Sequence, residues 1–440
     1  MEVYGWGRFP KASAELLEPV DSESLIKILT ANKKIGPMIA RGAGRSYGDS
    51  SLSANLISSR FLDSFLGLDE DAATIRCGAG VSLGSILKVC IPRSWFLPVL
   101  PGTKFVSVGG AIAADIHGKN HHLDGSFCEH VAEFTLLLAS GEKVTCSAQQ
   151  NTELFHATCG GMGLTGIILD ATIKCERVSS VSIKQRSLVA NTLSECFELL
   201  EANTDSKYSV AWLDCLAGGN KLGRSMIYLA QHDDNSDSIK EPKYKNRRRA
   251  TVAFDMPAFL INKFTLGLFN DAYFNLKKKV HRESTVHYDT YFFPLDNIGN
   301  WNRLYGARGF LQYQFVLPLD TALEGISQVL FKVSGAGKGS FLSVLKKFGK
   351  ANANLLSFPQ PGYTLSLDFK REKSLFPLLD GLDEIVLAHG GKIYLAKDAR
   401  MSESVFKAGY PEWEKFLETK LKVDPRGIFA SLQSERIGLT

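Results

Sequence analysis

Up to about residue 175 the apolar positions switch repeatedly between two periods. In "DSESLIKILTANKK" Leu25, Ile28 and Leu29 recur at helical spacing behind a capping Asp21 or Ser22, which predicts an amphipathic helix. "PMIARGAGRSYGDSS" then reads as a short strand that breaks into a glycine loop. "AATIRCGAGVSLGSILKVC" predicts a strand, a turn, and a helix with Leu83, Ile86, Leu87 and Cys90 inward. "HVAEFTLLLASGEKVTCS" predicts a hairpin turning at Ser140-Gly141. "NTELFHATC" reads as a short helix, and "GIILDATIKC" as a β-branched strand.

Further along the chain, strands dominate. "YSVAWLDCL", "RSMIYLAQ", "LQYQFVLP", "FLSVLKKFG" and "LSLDFKR" are strand-like, interleaved with helices at "TLSECFELLEAN", from Thr321, and at "KSLFPLLDGLDEIVLAHGG". A last helix is expected around "PEWEKFLETKL", before the tail "KVDPRGIFAS". Residues 232–250, "HDDNSDSIKEPKYKNRRRA", have almost no apolar content and predict a loop. No internal repeat is present.

Size and composition narrow the class. A chain of 440 residues exceeds what one core usually serves, so two domains are expected. With 45% hydrophobic and 22% charged residues it reads as a globular protein, and a net charge of +5 does not call for nucleic acid. The eight cysteines all fall between Cys77 and Cys215, none as CxxC, which predicts reduced thiols rather than a disulfide framework or a zinc site. The opening "MEVYGWGRFPKASAELLEPV" lacks the basic flank and apolar core of a signal peptide. No uncharged run is long enough to span a bilayer. A cytoplasmic protein, or one peripheral at a membrane surface, is expected.

Three glycine-rich stations carry the candidate chemistry. "CGGMGLTGIIL" holds Gly161-x-Gly163-x-x-Gly166, the spacing of a dinucleotide turn. That fingerprint works when a strand feeds the glycines and a helix starts on them. Here a helix precedes and a strand follows, so no helix dipole faces a phosphate. "ARGAGRSYGD" follows a strand, and its small residues can turn backbone N–H groups into an anion-cradling nest. "LPGTKFVSVGGAIAADIHGKNHH" supplies small side chains that let a large flat ligand approach. His117 and His121 stand four apart, but the general-base Glu of H-E-x-x-H is absent, Gly118 weakens a helix there, and no carboxylate follows at ligand spacing. No metal is expected.

Taken in order, "GWGR", "RGAGRSYGD", "VLPGTKFVSVGGAIAADIHGKNHH", "GGMGLTGII", "GFLQYQFVLP", "YLAKDAR" and "KVDPRGIFAS" closely resemble the FAD-dependent decaprenylphosphoryl-β-D-ribose oxidases, flavoproteins of the vanillyl-alcohol-oxidase type. The resemblance runs from Gly5 to Ser431. It implies an α+β fold: a PCMH-type FAD-binding domain from residues 1–177, completed by residues 392–440. A substrate domain on an antiparallel sheet with helices, residues 178–391, is inserted between them.

Carried over residue by residue, the resemblance gives Arg41, Gly42, Ala43, Gly44, Arg45, Ser46, Tyr47, Gly48 and Asp49 to the FAD pyrophosphate. Gly102, Ser107, Val108, Gly109, Gly110, Ala114, Asp115, Ile116 and His117 would line the cofactor, with Ile167 beyond them. Tyr394 and Lys397 would return to the isoalloxazine ring. Many relatives tether flavin through a histidine in the first loop; Tyr47 stands there, so FAD is expected to be non-covalent. A fixed cation beside a flavin that gains negative charge favours its reduced state, the role expected of Lys397. The competing reading is a salt bridge from Lys397 to Asp398.

The same resemblance gives the substrate pocket Gln312, Gln314 and Lys346, with Thr364 and Ser366 where mycobacterial members carry asparagine and cysteine. His117, Gln314 and Lys346 join Lys397 as the expected catalytic group. On a strand Gln312 and Gln314 share a face, and paired amides suit a polyhydroxylated ring.

The expected reaction oxidises the C2 hydroxyl of a polyprenylphosphoryl-β-D-ribofuranose to a ketone. A separate short-chain NAD(P)H-dependent reductase would complete an epimerisation to the arabinose form. The alternatives are a soluble alditol or aldonolactone oxidase and, from another class, a non-enzymatic protein that binds anionic surfaces. The second uses the basic runs "KYKNRRR" (243–249) and "KKKVHR" (277–282), which flank the Phe- and Leu-rich residues 252–269 and suit peripheral membrane contact.

Overall fold

Odd and even positions of the strand Phe310–Pro318 part company. Leu311, Tyr313, Phe315 and Leu317 join the largest apolar cluster, while Gln312 and Gln314 point to the opposite face. The same split repeats along its neighbours. Leu365 and Leu367 face the core and Ser366 the other side; Ala211 and Leu213 oppose Val210 and Trp212; Ile227 and Leu229 oppose Met226 and Tyr228. Both faces are covered, so these strands are buried almost end to end.

They belong to an eight-stranded antiparallel sheet in the computed structural model, which describes residues 1–31, 36–234, 250–279 and 283–440. Its order is Glu283–His287, Ser182–Ala190, Ser225–His232, Tyr208–Leu213, Ser343–Phe348, Gly362–Lys370, Phe310–Pro318 and Lys392–Ile393. Helices Leu193–Glu201, Leu319–Gly335 and Leu375–Ala388 pack on the apolar face. The buried Tyr313 hydroxyl donates to Asp383 at 3.0 Å on the last of these helices.

Among the described residues, the N-terminal part holds two sheets of more than two strands. One is five-stranded and antiparallel, ordered Lys143–Ser147, Val131–Leu137, Ile167–Lys174, Thr74–Gly78, Phe65–Asp69; the other is three-stranded and parallel, ordered Glu15–Leu17, Asn55–Ser58, Met38–Arg41. Helices Leu83–Cys90, capped by Ser82, and Val108–Ala113 pack into the core beside the five-stranded sheet. The α+β class implied by the resemblance holds. The basic run 243–249 and the end of 277–282 lie outside the described residues, as does most of the expected loop 232–250.

The C-terminal residues return to the N-terminal part. Met38 N–H donates to the Ile428 carbonyl at 2.8 Å, and Ala430 N–H to the Met38 carbonyl at 3.0 Å. Arg436 clasps Asp49 at 2.8 Å and Asp398 at 2.8 Å. Between the two halves, the buried pair Lys104–Asp289 ties the loop before Ser107 to the helix Tyr288–Phe292.

Candidate active site

The polar face of the eight-stranded sheet and the glycine stations at residues 40–49 and 100–122, with Gly163 and Gly166, enclose one cavity of about 810 Å³. Gly42, Ala43, Gly44, Arg45, Ser46 and Tyr47 form one wall, and Gly102, Ser107, Gly109 and Gly110 the next. Ala114, Ile116, His117, Ile167, Tyr394 and Lys397 continue it, and Gln312, Gln314, Lys346 and Ser366 close the sheet side. Residues as far apart in sequence as Gly42 and Lys397 thus meet in one volume.

The first loop is shaped by necessity. Gly44 has φ +63°, and a Cβ on Gly42 would meet Ser107 Oγ at 2.2 Å. Among the described residues, the amides of Gly42, Ala43, Gly44 and Ser46 donate no hydrogen bond to the chain, so this run of donors is left for a ligand. A Cβ at Gly102 would meet nothing within 4 Å. Free amides along a wall of small residues fit an anionic, flat dinucleotide, and the volume lies high in the range of roughly 300–1,000 Å³ usual for ligand pockets.

Cations gather on the sheet side. Lys397 Nζ sits 3.9 Å from the Tyr47 ring centroid. Burial pulls its ammonium down to about 8, partly countered by the Asp368 carboxyl. Lys346 is pulled to about 7, by burial first and by Lys397 second. Asp368 moves the other way, to about 7, because burial penalises its charge, while Gln312 Nε2 donates to it at 2.5 Å.

His117 lies among these groups. Its Nε2 is 2.9 Å from the Gln314 carboxamide, and its Nδ1 is 3.4 Å from Lys346 Nζ. Burial first, then Lys346, His121 and Lys397, hold its pKa well below the ordinary histidine value, so the ring is neutral. A neutral ring has one lone pair. Gln314 Nε2 donates to His117 Nε2, so the proton sits on Nδ1, facing Lys346 Nζ, which accepts it when it is a free amine.

Comparison with known proteins gives the family. A family described as an FAD binding domain covers residues 14–147. The decaprenylphosphoryl-β-D-ribose oxidase of Mycolicibacterium smegmatis is 37% identical, across 99% of this chain and 97% of that protein. The chain belongs to the decaprenylphosphoryl-β-D-ribose oxidase family. An uncharacterised protein of Streptomyces coelicolor is 32% identical over 82% of this chain and 100% of its own length. The mouse L-gulonolactone oxidase is 23% identical over 92% of this chain and 90% of its own. As a member of this family, with the matching flavin domain, the chain is an FAD-dependent oxidoreductase.

Several residues of the family motifs shape the site without lining it. The Arg41 guanidinium turns away to the carbonyls of Tyr4 (2.7 Å) and Ser51 (3.1 Å). Gly48 abuts the Asp398 backbone, Asp49 pairs with Arg436, and Val108 is wholly buried in the core. Asp115 is a buried hub, accepting from Cys128 N–H, Asn352, Asn354 and Ser357. Thr364 stands behind Gln314, whose carboxamide lies 3.2 Å from its hydroxyl. Asp398 is held by Arg436, and no ion pair joins it to Lys397 among the described residues, so the competing salt-bridge reading fails. His121 accepts from Gly349 N–H at 3.1 Å and shares with His117 a contact to the Phe348 ring, but none of its hydrogen bonds among the described residues.

Other lining residues were missed. Lys119 sits inside "HGKNHH", a stretch read for metal rather than for its cation; it lies 4.0 Å over the Tyr291 ring, and burial pulls it to about 7. Behind the lining, Asp368 holds Gln312 and is foreshadowed by strand period, since it follows Ser366 by two positions and pairs with Gln312 in the register. Trp212, Tyr228 and Tyr273 build an aromatic end of the cavity, with the Tyr228 and Tyr273 hydroxyls 2.9 Å apart. They come from separate elements, and no motif marks them.

Proposed function

We propose that this chain holds FAD non-covalently and oxidises the C2 hydroxyl of a polyprenylphosphoryl-β-D-ribofuranose to the 2-keto sugar. The observation that carries it is the meeting of the donor-rich glycine loop with Lys397, His117, Lys346, Gln312 and Gln314 in one cavity. The name of the mycolicibacterial relative supports the substrate class. The 23% identity to L-gulonolactone oxidase gives weaker support to the alternative, a soluble sugar-lactone oxidase.

Gly42, Ala43, Gly44 and Ser46 would hold the pyrophosphate of FAD, with Ser107, Gly109, Gly110, Ala114 and Ile167 along its length. Bound FAD supplies a two-electron acceptor for the hydride that leaves the alcohol carbon. Lys397 supplies the fixed positive charge that favours electron acceptance. The hydroxyl proton leaves to Lys346 Nζ, whose lowered pKa makes it a free amine for part of the time at neutral pH and which His117 Nδ1, 3.4 Å away, holds in place. Gln314 fixes the His117 ring, and Gln312, anchored by Asp368, faces the sugar beside Ser366.

The reading extends to the chain's organisation and setting. Residues 392–440 complete the flavin domain, and a chain ending near residue 390 loses FAD. The strand Lys392–Ile393, at the start of that segment, pairs with Phe310–Pro318 at the edge of the eight-stranded sheet. A lipid-linked substrate sets the enzyme at a membrane surface; among the described residues no helix is long and apolar enough to cross one. The ketone is the substrate for a short-chain NAD(P)H-dependent reductase partner, which together with this enzyme serves arabinan formation.

The test is product analysis. Turnover of polyprenylphosphoryl ribose should remove two hydrogens, and borodeuteride reduction should place deuterium at C2. Deuterium at another carbon, or no product from this lipid while an alditol is consumed, contradicts the assignment.

A further inference from the structure

The helix Lys263–Lys278 has two unlike sides. Leu266, Asn270 and Phe274 are buried toward the strand Ser225–His232, and Tyr273 and Lys277 reach the cavity wall. The outer side carries Phe264, Leu268 and Leu276, exposed by 78%, 64% and 67%. With Ala272 they fall at intervals of four, one stripe along the helix. The preceding segment adds Phe254 and Phe259, exposed by 66% and 73%. So many large apolar groups presented together mark an interaction site.

Charge narrows the occupant. Lys263 opens the helix, and Lys277, Lys278 and Lys279 close it, all exposed. Residues 250–279 contain two carboxylates, and both are engaged: Asp255 by Arg8 at 2.6 Å and Asp271 by Arg224. An apolar stripe rimmed by lysines, its acids neutralised, complements an anionic lipid surface, where rings enter the acyl boundary and ammonium groups stay at headgroup level.

We propose that Phe254, Phe259, Phe264, Leu268 and Leu276 form a docking face that seats this protein on an anionic bilayer. Lys263 and Lys277–Lys279 contact the headgroups. The helix that docks also walls the cavity through Tyr273 and Lys277, so a lipid-linked sugar meets the cavity edge where the protein meets its membrane. That last step rests on the substrate proposed above; the docking itself does not.

The experiment is co-sedimentation of the FAD-loaded protein with vesicles of phosphatidylcholine alone or with about a third phosphatidylglycerol. Binding should be about tenfold or more tighter to the anionic vesicles and should weaken with salt. The double variant Phe264→Asp, Leu268→Asp should lose vesicle binding while keeping its flavin absorbance. The triple variant Lys263→Gln, Lys278→Gln, Lys279→Gln should lose the preference for anionic lipid. Equal binding by parent and double variant, or no binding by the parent to either vesicle, overturns the proposal. So does a dimer in sedimentation velocity that the double variant abolishes, which would assign the face to a second copy. Flavin bleaching by a short-chain, water-soluble analogue is read separately, so failure of the substrate reading is distinguishable from failure of docking.

Discussion

Lys397 Nζ stands 3.9 Å over the ring of Tyr47, while its sequence neighbour Asp398 turns away to Arg436 at 2.8 Å. The cation therefore points into the cavity and is not spent on the adjacent carboxylate. Its pKa, pulled to about 8 by burial, still leaves it mostly charged at neutral pH.

Lys397→Met should leave FAD binding largely intact, because the donor-rich loop and the small-residue wall lie elsewhere. Flavin reduction by substrate should slow by roughly a hundredfold to a thousandfold, about 3–4 kcal/mol of transition-state stabilisation, as for a lost oxyanion donor. Lys397→Arg should exceed Met without restoring the parent, since a planar fork does not replace a point charge. Anaerobic stopped-flow absorbance measures all three; a Met variant within about threefold of the parent would make Lys397 structural.

The pH profile should be a narrow bell. Lys346, lowered to about 7, must lose its proton to act as a base, so kcat/KM rises as pH passes about 7. Lys397, lowered to about 8, must keep its proton, so the rate falls above about 8. His117 is already neutral throughout this window and adds no limb. Lys346→Gln should remove the acid limb and spare the alkaline one. A parent profile flat from about pH 6 to about 9 would rule out this assignment of the two lysines.

With Tyr47 in the first glycine loop, the proposed non-covalent attachment predicts a flavin that denaturation releases. After denaturation and filtration the yellow colour should appear in the filtrate, read by absorbance and by the intact mass of the chain. A mass increased by one flavin would show a covalent bond.

Arg436 closes the C-terminal segment onto the first loop by pairing with two buried carboxylates, Asp49 and Asp398. Burial alone would lower its pKa, and the two acids more than reverse this. Arg436→Ala strands both charges and should cost about 3–5 kcal/mol of unfolding free energy, the range for breaking a buried pair. Urea titration followed by flavin fluorescence should show FAD leaving at lower denaturant than in the parent. An unchanged midpoint would mean that the two carboxylates are satisfied without it.

How far the sequence was readable depends on how local each signal is. Strand period was enough to put Gln312 and Gln314 on one face, because alternation is a property of a single strand. The order of helix and strand around Gly161–Gly166 was enough to refuse a dinucleotide turn. Motif membership did not separate residues that line the cavity from those that shape its walls. Arg41, Asp49 and Asp115 sit among lining residues in sequence, yet turn to the Tyr4 carbonyl, to Arg436 and to Asn352. Tyr273 and Lys119 were beyond reach for another reason. Their place in the cavity depends on how separate elements pack, which no periodicity records.

Anaerobic bleaching of the bound flavin, comparing polyprenylphosphoryl ribose with free alditols and aldonolactones, tests the central claim most directly. The lipid-linked ribose should bleach the flavin absorbance band within the turnover time, and the soluble sugars should leave it oxidised over the same interval. Bleaching by an alditol or a lactone, with the lipid-linked sugar inert, would contradict the account.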